Sequence, residues 1–171
     1  MRLNLGAGDR YATGGWINVD RVECPHRKDT AVDLLGPLPW PPGSVSHVYA
    51  GHVLEHLPLD ACADLLARLL PLMTPAGQIM VVGADLARAQ QMAEAGTLAG
   101  ITMDQLRHGA GRWHGDHHYW EQSPELIAGL LADAGWADIV HLGIGEVPAE
   151  WPVAERAPVW QCAISAVRGT T

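Results

Sequence analysis

Short apolar runs bounded by Gly, Pro, Asn or Asp alternate along this chain with longer segments of helical spacing. Leu3-Asn4-Leu5 is the first run and leads straight into a glycine turn, Gly6-Ala7-Gly8. Trp16 to Asp20 and Thr30 to Asp33 read as the second and third strands, each ending in an acid. Val45 to Ala50 makes a fourth, followed by Gly51-His52-Val53-Leu54-Glu55-His56-Leu57. Asp60 to Leu72 is the clearest helix of the first half, because Cys62, Leu65, Leu66, Leu69 and Leu72 fall on one stripe. Pro71 and Pro75 predict its end, and Ala76-Gly77 a turn. Gln78 to Gly83 is almost continuously apolar, the pattern of a strand buried on both faces. Asp85 to Ala95 predicts a helix stopped by Gly96, and a short one fits Thr102 to Arg107 within an irregular stretch. Ser123-Pro124 supplies the cap and first turn of a last helix. Its stripe is Leu126, Ile127, Leu130, Leu131 and Ala134, and Gly135 closes it. Trp136 to Leu142 and Val159 to Val167 complete the strands, joined by a long loop rich in Gly, Pro and Trp.

This alternation predicts a single α/β domain over residues 1–171. About a dozen residues separate the first two strands, close to the minimum for a parallel crossover. Tyr11 to Gly15 holds too little chain for a helix, so that crossover is expected to be shortened. Leu38-Pro39-Trp40-Pro41-Pro42-Gly43 is too proline-rich for a sheet interior and reads as a stiff surface connection.

Composition narrows the function classes. The formal charge is −8 and Lys28 is the sole lysine, which makes nucleic acid an unlikely partner. No apolar run is long enough to span a membrane, and the first residues lack a signal-peptide pattern. Cys24, Cys62 and Cys162 are scattered without a CxxC pair, so free thiols in a cytoplasmic protein are expected.

The ordered chemistry is more specific. A glycine turn after the first strand, acids after the second and third, and a polar segment after the fourth would all project to one sheet edge. An acid after the second strand suits a ribose, whose two hydroxyls a carboxylate can accept from. An acid after the third suits an exocyclic amine such as that of adenine. Each acid taken alone fits a turn or capping role equally well.

LNLGAGD, GWINVD, VDLLGPLPWPPGSV, VYAGHVLEHL and LLPLMTPAGQIMVV together resemble the class I S-adenosylmethionine-dependent methyltransferases. The likeness is closest to small methyltransferase-domain members with an LEHL segment after strand four, and covers residues 2–85 best. It implies a Rossmann-like open sheet of seven strands, mostly parallel with an antiparallel last strand and helices on both faces. It also implies S-adenosylmethionine as cofactor. Gly6, Ala7 and Gly8 would pass under its methionine part, Asp20 would hold the ribose, Asp33 the adenine amine, and Leu34 the adenine ring. Asn4 would sit at the cofactor where the family commonly has an acid, and His52 beside the sulfonium. Arg10 replaces the third glycine of the turn, and His47 an aspartate. These departures point either to weaker cofactor binding or to a homo-oligomer in which a second subunit completes the site.

The implied reaction moves a methyl group to a small-molecule or glycan acceptor. Glu55 and His56 are the nearest acid–base candidates, against a plain helix-capping and packing role. His114-Gly115-Asp116-His117-His118-Tyr119-Trp120 is the other polar cluster. Three histidines and an aspartate have the chemistry of metal ligands, yet ligands this close in sequence rarely all reach one ion. A loop covering the cofactor, hinged at Gly109-Ala110-Gly111 with His117 or His118 taking the acceptor's proton, is the reading preferred, and no metal is assigned. A cofactor-binding protein without catalysis is one rival. A nucleotide-dependent oxidoreductase is another, disfavoured because GAGDRYATGG opens almost no helix.

Overall fold

The computed structural model describes residues 1–23, 25–112, 115–153 and 158–169; Cys24, Trp113 and His114 lie outside them. Seven strands form one sheet: β1 (Arg2–Leu5), β2 (Trp16–Asp20), β3 (Thr30–Ala31), β4 (Val45–Gly51), β5 (Met73–Ala84), β6 (Trp136–Gly143) and β7 (Gln161–Arg168). Their order is β3-β2-β1-β4-β5-β7-β6. β1 to β5 pair in parallel, whereas β7 runs antiparallel to both β5 and β6. The helices are α1 (Leu59–Leu69), α2 (Leu86–Glu94), α3 (Met103–His108) and α4 (Pro124–Asp133). None of them is long and apolar enough to cross a membrane.

Period-two alternation assigns the two sheet faces. Leu3, Leu5, Val19, Val48, Ala50, Ile79, Val81 and Ile164 point one way and pack with the buried stripes of α1 (Cys62, Leu65, Leu66, Leu69) and α4 (Ile127, Leu130, Leu131). The opposite face carries Trp16, Tyr49, Met80, Val82 and Ala163, covered by Trp151 and Ala12. Helix cover is therefore uneven. Large tryptophan rings do on the second face what a helix does on the first, with Trp16 and Trp151 at a centroid distance of 5.6 Å. α2 and α3 cluster around Ala84 and Trp160, at the carboxyl end of β5.

Helix starts follow their caps. Ser123 accepts from Leu126 N with Pro124 in the first turn, Asp85 accepts from Arg88 N, and Thr102 with Gln105 forms a capping box. The expected turn at Ala76-Gly77 is instead part of β5. α1 ends at Leu69, Leu70–Leu72 form a 3-10 turn, and the strand already begins at Met73. Met73 pairs with Val45 but Gln78 with His47, so the proline and glycine are absorbed as an irregularity in the ladder. Cys62 and Cys162 are free and buried, and burial pushes their thiols up to about 12 and about 11 respectively.

No helix lies between β1 and β2. The short crossover is held by a buried polar knot. Asn4 and Asn18 are register partners on β1 and β2, only 2% and 0% exposed. Asn4 Nδ2 donates to Arg10 O (3.0 Å) and Asn18 Oδ1 (2.8 Å). Asn18 Oδ1 also accepts from Ala12 N at 2.7 Å, while its Nδ2 donates to Ala12 O and Asp29 Oδ2, both at 2.9 Å. Asp29 accepts as well from Asn18 N and from the Tyr11 hydroxyl.

The Tyr11 hydrogen bond, with those from Asn18, lowers the Asp29 carboxyl to about 2. A depressed folded-state value means stability present above the unfolded value of 3.8 and lost as pH falls through about 2. Acid unfolding of the wild type should therefore include a proton uptake between those values that Asp29→Asn lacks. Identical acid limbs in the two proteins would remove Asp29 from this account.

Candidate functional site

β1 and β4 are neighbours, with Leu5 opposite Ala50, and the strand order reverses between them. The segments leaving their carboxyl ends diverge there and frame a crevice. Gly6 and Gly8 adopt φ of +57° and +52°, where glycine is at little cost. At Gly6 there is a second constraint: a Cβ would sit 2.2 Å from Val53 Cγ2, so the segment after β4 packs directly on the turn. Ala7 N donates to Val19 O at 3.0 Å and Gly8 N to Asp20 Oδ2 at 2.8 Å, which ties the turn to the end of β2. Asp20 Oδ1 accepts from Arg21 N, also at 2.8 Å.

Asp33 follows β3 and is exposed, its Oδ1 accepting from Leu35 N at 3.0 Å. Leu34 beside it is buried, and its carbonyl accepts from the Arg68 guanidinium on α1 at 2.8 Å. Asn4 lies beneath the turn. Both donors of its amide are used inside the chain, on Arg10 and Asn18.

His52 turns the chain at the end of β4 with φ +54°, a left-handed conformation costing a non-glycine residue about 1–2 kcal/mol. Its ring is clamped. Nδ1 is 3.1 Å from Glu55 Oε1, Nε2 is 2.8 Å from Gln161 Nε2, and the edge of Trp160 lies at a centroid distance of 5.9 Å. Glu55 stands in the 3-10 turn Leu54–His56 and is only 1% exposed. Its Oε2 accepts from Gln122 Nε2 at 2.9 Å, and Gln122 Oε1 accepts from Ala84 N at 2.6 Å. Burial opposes the charge on Glu55, but the hydrogen bond from His52 and the positive potential of His52 and His56 outweigh it, so the carboxyl lies below its ordinary value.

The loop carrying the second polar cluster reaches the same place. Tyr119 N donates to Glu55 O at 2.8 Å, and Trp120 Nε1 to Leu57 O at 3.0 Å. His118 lies edge-on to His56 with centroids 4.9 Å apart. Burial pushes the His118 imidazole below its usual value, against the pull of Glu55. Glu55, His56 and His118 thus stand together, each offering one ligand atom within 4.8 Å of the others.

Two expectations for this loop change. His117 is exposed and stacks on Tyr119 at 4.5 Å, because adjacent side chains here diverge and only His118 turns inward. Asp116 is buried, and its Oδ2 accepts from the backbone N (2.8 Å) and Nε (3.1 Å) of Arg112, which closes the loop on itself. Gly109 is not an open hinge, since a Cβ there would meet Asp116 O at 2.3 Å. His114 lies outside the described residues.

Sequence reasoning missed Gln122 and Gln161, which brace Glu55 and His52 from distant segments. It also missed Asn18, for which a signal existed: the triplets Leu3-Asn4-Leu5 and Ile17-Asn18-Val19 match residue for residue across the β1–β2 ladder.

No family model and no curated protein matches this chain. Solved structures do. Human N-acetylserotonin methyltransferase in complex with SAM aligns over 99% of this chain and 47% of its own, at 19% identity and a TM-score of 0.61. Burkholderia thailandensis 1,6-didemethyltoxoflavin-N1-methyltransferase, with its substrate and S-adenosylhomocysteine bound, aligns over 98% and 70%, at 18% identity and a TM-score of 0.57. A pericyclic reaction enzyme aligns over 98% and 42%, at 14% identity and a TM-score of 0.60. The chain spans about half the length of the human enzyme. Shared architecture does not fix the reaction, as the pericyclic enzyme illustrates. With its mostly parallel seven-stranded sheet and antiparallel β7, this chain has the fold of the class I S-adenosylmethionine-dependent methyltransferases.

Proposed function

We propose that this chain binds S-adenosylmethionine at the carboxyl ends of β1, β2 and β4 and transfers its methyl group to a small-molecule acceptor. One arrangement supports this most. The glycine turn, the acids after β2 and β3, and the Glu55–His56–His118 group all lie beyond the carboxyl ends of strands at the switch between β1 and β4. In this reading Gly6-Ala7-Gly8 passes under the methionine part. Asp20, which accepts from Gly8 N and Arg21 N, presents its carboxylate to the ribose hydroxyls. Asp33 accepts from the adenine amine, Leu34 lies against the ring, and His52 stands by the sulfonium. Asn4 acts indirectly, by bracing the turn.

Methyl transfer is an in-line displacement: the acceptor's lone pair bonds to the methyl carbon as the S–C bond breaks, leaving S-adenosylhomocysteine. The protein mainly supplies proximity and alignment. An acceptor that must lose a proton requires a group to receive it, and Glu55, His56 and His118 gather at the segment after β4, whose Val53 packs on the turn. The dinucleotide reading is weakened by the crossover after β1. It contains no helix, so no helix N-terminus is present to meet a pyrophosphate.

Titration calorimetry with S-adenosylhomocysteine and with NAD tests this. The first should bind and the second should not, and saturation at about a hundred times the dissociation constant should add about 2.7 kcal/mol of stability. Asp20→Ala and Asp33→Ala should each weaken binding about 10- to 100-fold, the loss of a hydrogen bond to a charged group. Binding of NAD in place of S-adenosylhomocysteine would overturn the proposal.

A further inference from the structure

We infer that Glu55, His56 and His118 form a site for a divalent first-row transition ion of the zinc type. The three side chains come from two segments more than sixty residues apart, and one ligand atom from each lies within 4.8 Å of the other two. Two imidazoles and one carboxylate are a donor set suited to Zn²⁺, Fe²⁺, Co²⁺ or Mn²⁺, and they leave positions open for water or an acceptor. Magnesium, which prefers oxygen ligands, fits it poorly.

The rings are held as ligands need to be held. His118 Nδ1 is 2.9 Å from Leu106 O, and His56 Nδ1 is 3.1 Å from His117 O. A carbonyl oxygen can only accept, so each Nδ1 donates in these contacts. Metal-binding histidines are oriented in just this way, by donating the other ring N–H to a carbonyl or carboxylate. Glu55 is braced likewise, by His52 at one oxygen and Gln122 at the other.

Electrostatics point the same way. Glu55 is buried and His56 and His118 are half-buried, so a cation among them would meet a carboxylate and two imidazoles that water only partly screens. With bonds of about 2.0–2.2 Å, ligand atoms on one ion are about 3–4 Å apart. The three ligand atoms, within 4.8 Å of one another, would draw together by about 1–2 Å to share an ion.

Ion binding needs nothing from the methyl-transfer reading. Its chemical use rests on that reading: an acceptor hydroxyl on the ion would have its proton made more acidic, which favours an oxygen acceptor over a carbon one.

The test is titration of the chelator-treated whole chain with Co²⁺, read by visible ligand-field absorption and by elemental analysis. One equivalent should bind and be displaced by Zn²⁺. His56→Ala and His118→Ala should each weaken binding by more than the roughly 10- to 100-fold lost when a ligand's outer partner is removed. His141→Ala, an exposed position on β6, should bind as the wild type does. Failure of the wild type to take up Co²⁺, or uptake unchanged in both His56→Ala and His118→Ala, would overturn the inference. S-adenosylhomocysteine binding by a chain that takes up no ion would sink this inference alone. Ion uptake without S-adenosylhomocysteine binding would sink methyl transfer alone.

Discussion

Asn18→Ala should destabilise the chain by about 3–5 kcal/mol, a large part of the roughly 5–15 kcal/mol that holds a domain together. The side chain has no exposed surface, and its amide serves four partners: Asn4 Nδ2, Ala12 N, Ala12 O and Asp29 Oδ2. Alanine takes this partner from Ala12 N and Ala12 O, and removes one bond each from Asn4 Nδ2, which keeps Arg10 O, and Asp29 Oδ2, which keeps Asn18 N. Each buried group left without a partner costs about 1–3 kcal/mol, and only those near Asp29 are close enough to water to recover part of it. Asn18→Asp should also be costly. It preserves the acceptor for Asn4 and Ala12 N, but sets a carboxylate against Ala12 O and Asp29. Urea unfolding would read both, and a midpoint for Asn18→Ala equal to that of the wild type would show that the knot contributes nothing.

That knot also shows how far the sequence was legible. Strands β1, β2 and β4 announce themselves because period-two alternation is a local signal, and the stripes of α1 and α4 are local in the same way. Caps at Ser123 and Asp85 lie within four residues of the backbone N–H groups that donate to them, so they too can be read. Asn4 and Asn18 are harder. A polar residue inside a short strand reads as an outward face, and burial is decided by the loop that folds over it. Only the matched triplets on β1 and β2 carried a hint.

The site divides along the same line. Residues at strand ends, namely Gly6, Asp20, Asp33 and His52, were named from the sequence because the topology of an open sheet gathers such positions. Contacts from unrelated segments were not, and Gln122, Gln161 and the inward turn of His118 belong to that class. His117 and His118 are neighbours of identical type, and no pattern in the sequence says which faces Glu55. The geometry decides it, through the hydrogen bond of Tyr119 N to Glu55 O that fixes the loop's register. β5 misled for another reason. Pro75 and Gly77 are strong turn signals, but the strand tolerates them where its pairing with β4 slips.

Gly6→Ala should cost about 2–4 kcal/mol, lowering the melting temperature by roughly 5–15 °C for a chain of this length. Two effects add. The backbone φ of +57° penalises any residue with a Cβ by about 1–2 kcal/mol. The new Cβ would also fall 2.2 Å from Val53 Cγ2 and 2.7 Å from Val53 Cβ. That contact involves the root of a stiff side chain on the segment leading to Glu55, so the overlap is relieved only by moving backbone. Gly8 separates the two contributions. Its φ of +52° carries the same conformational penalty, yet a Cβ there meets nothing nearer than Gly6 O at 3.8 Å. Gly8→Ala should therefore cost about 1–2 kcal/mol. The difference between the two variants measures the packing of Val53 on the turn, and Val53→Ala in the Gly6→Ala background should recover only the part due to Cγ2, because the Cβ at 2.7 Å remains. Calorimetric melting of the three proteins reads this directly. Equal melting temperatures for Gly6→Ala and Gly8→Ala would mean that the turn after β1 and the segment after β4 are not packed against each other as described.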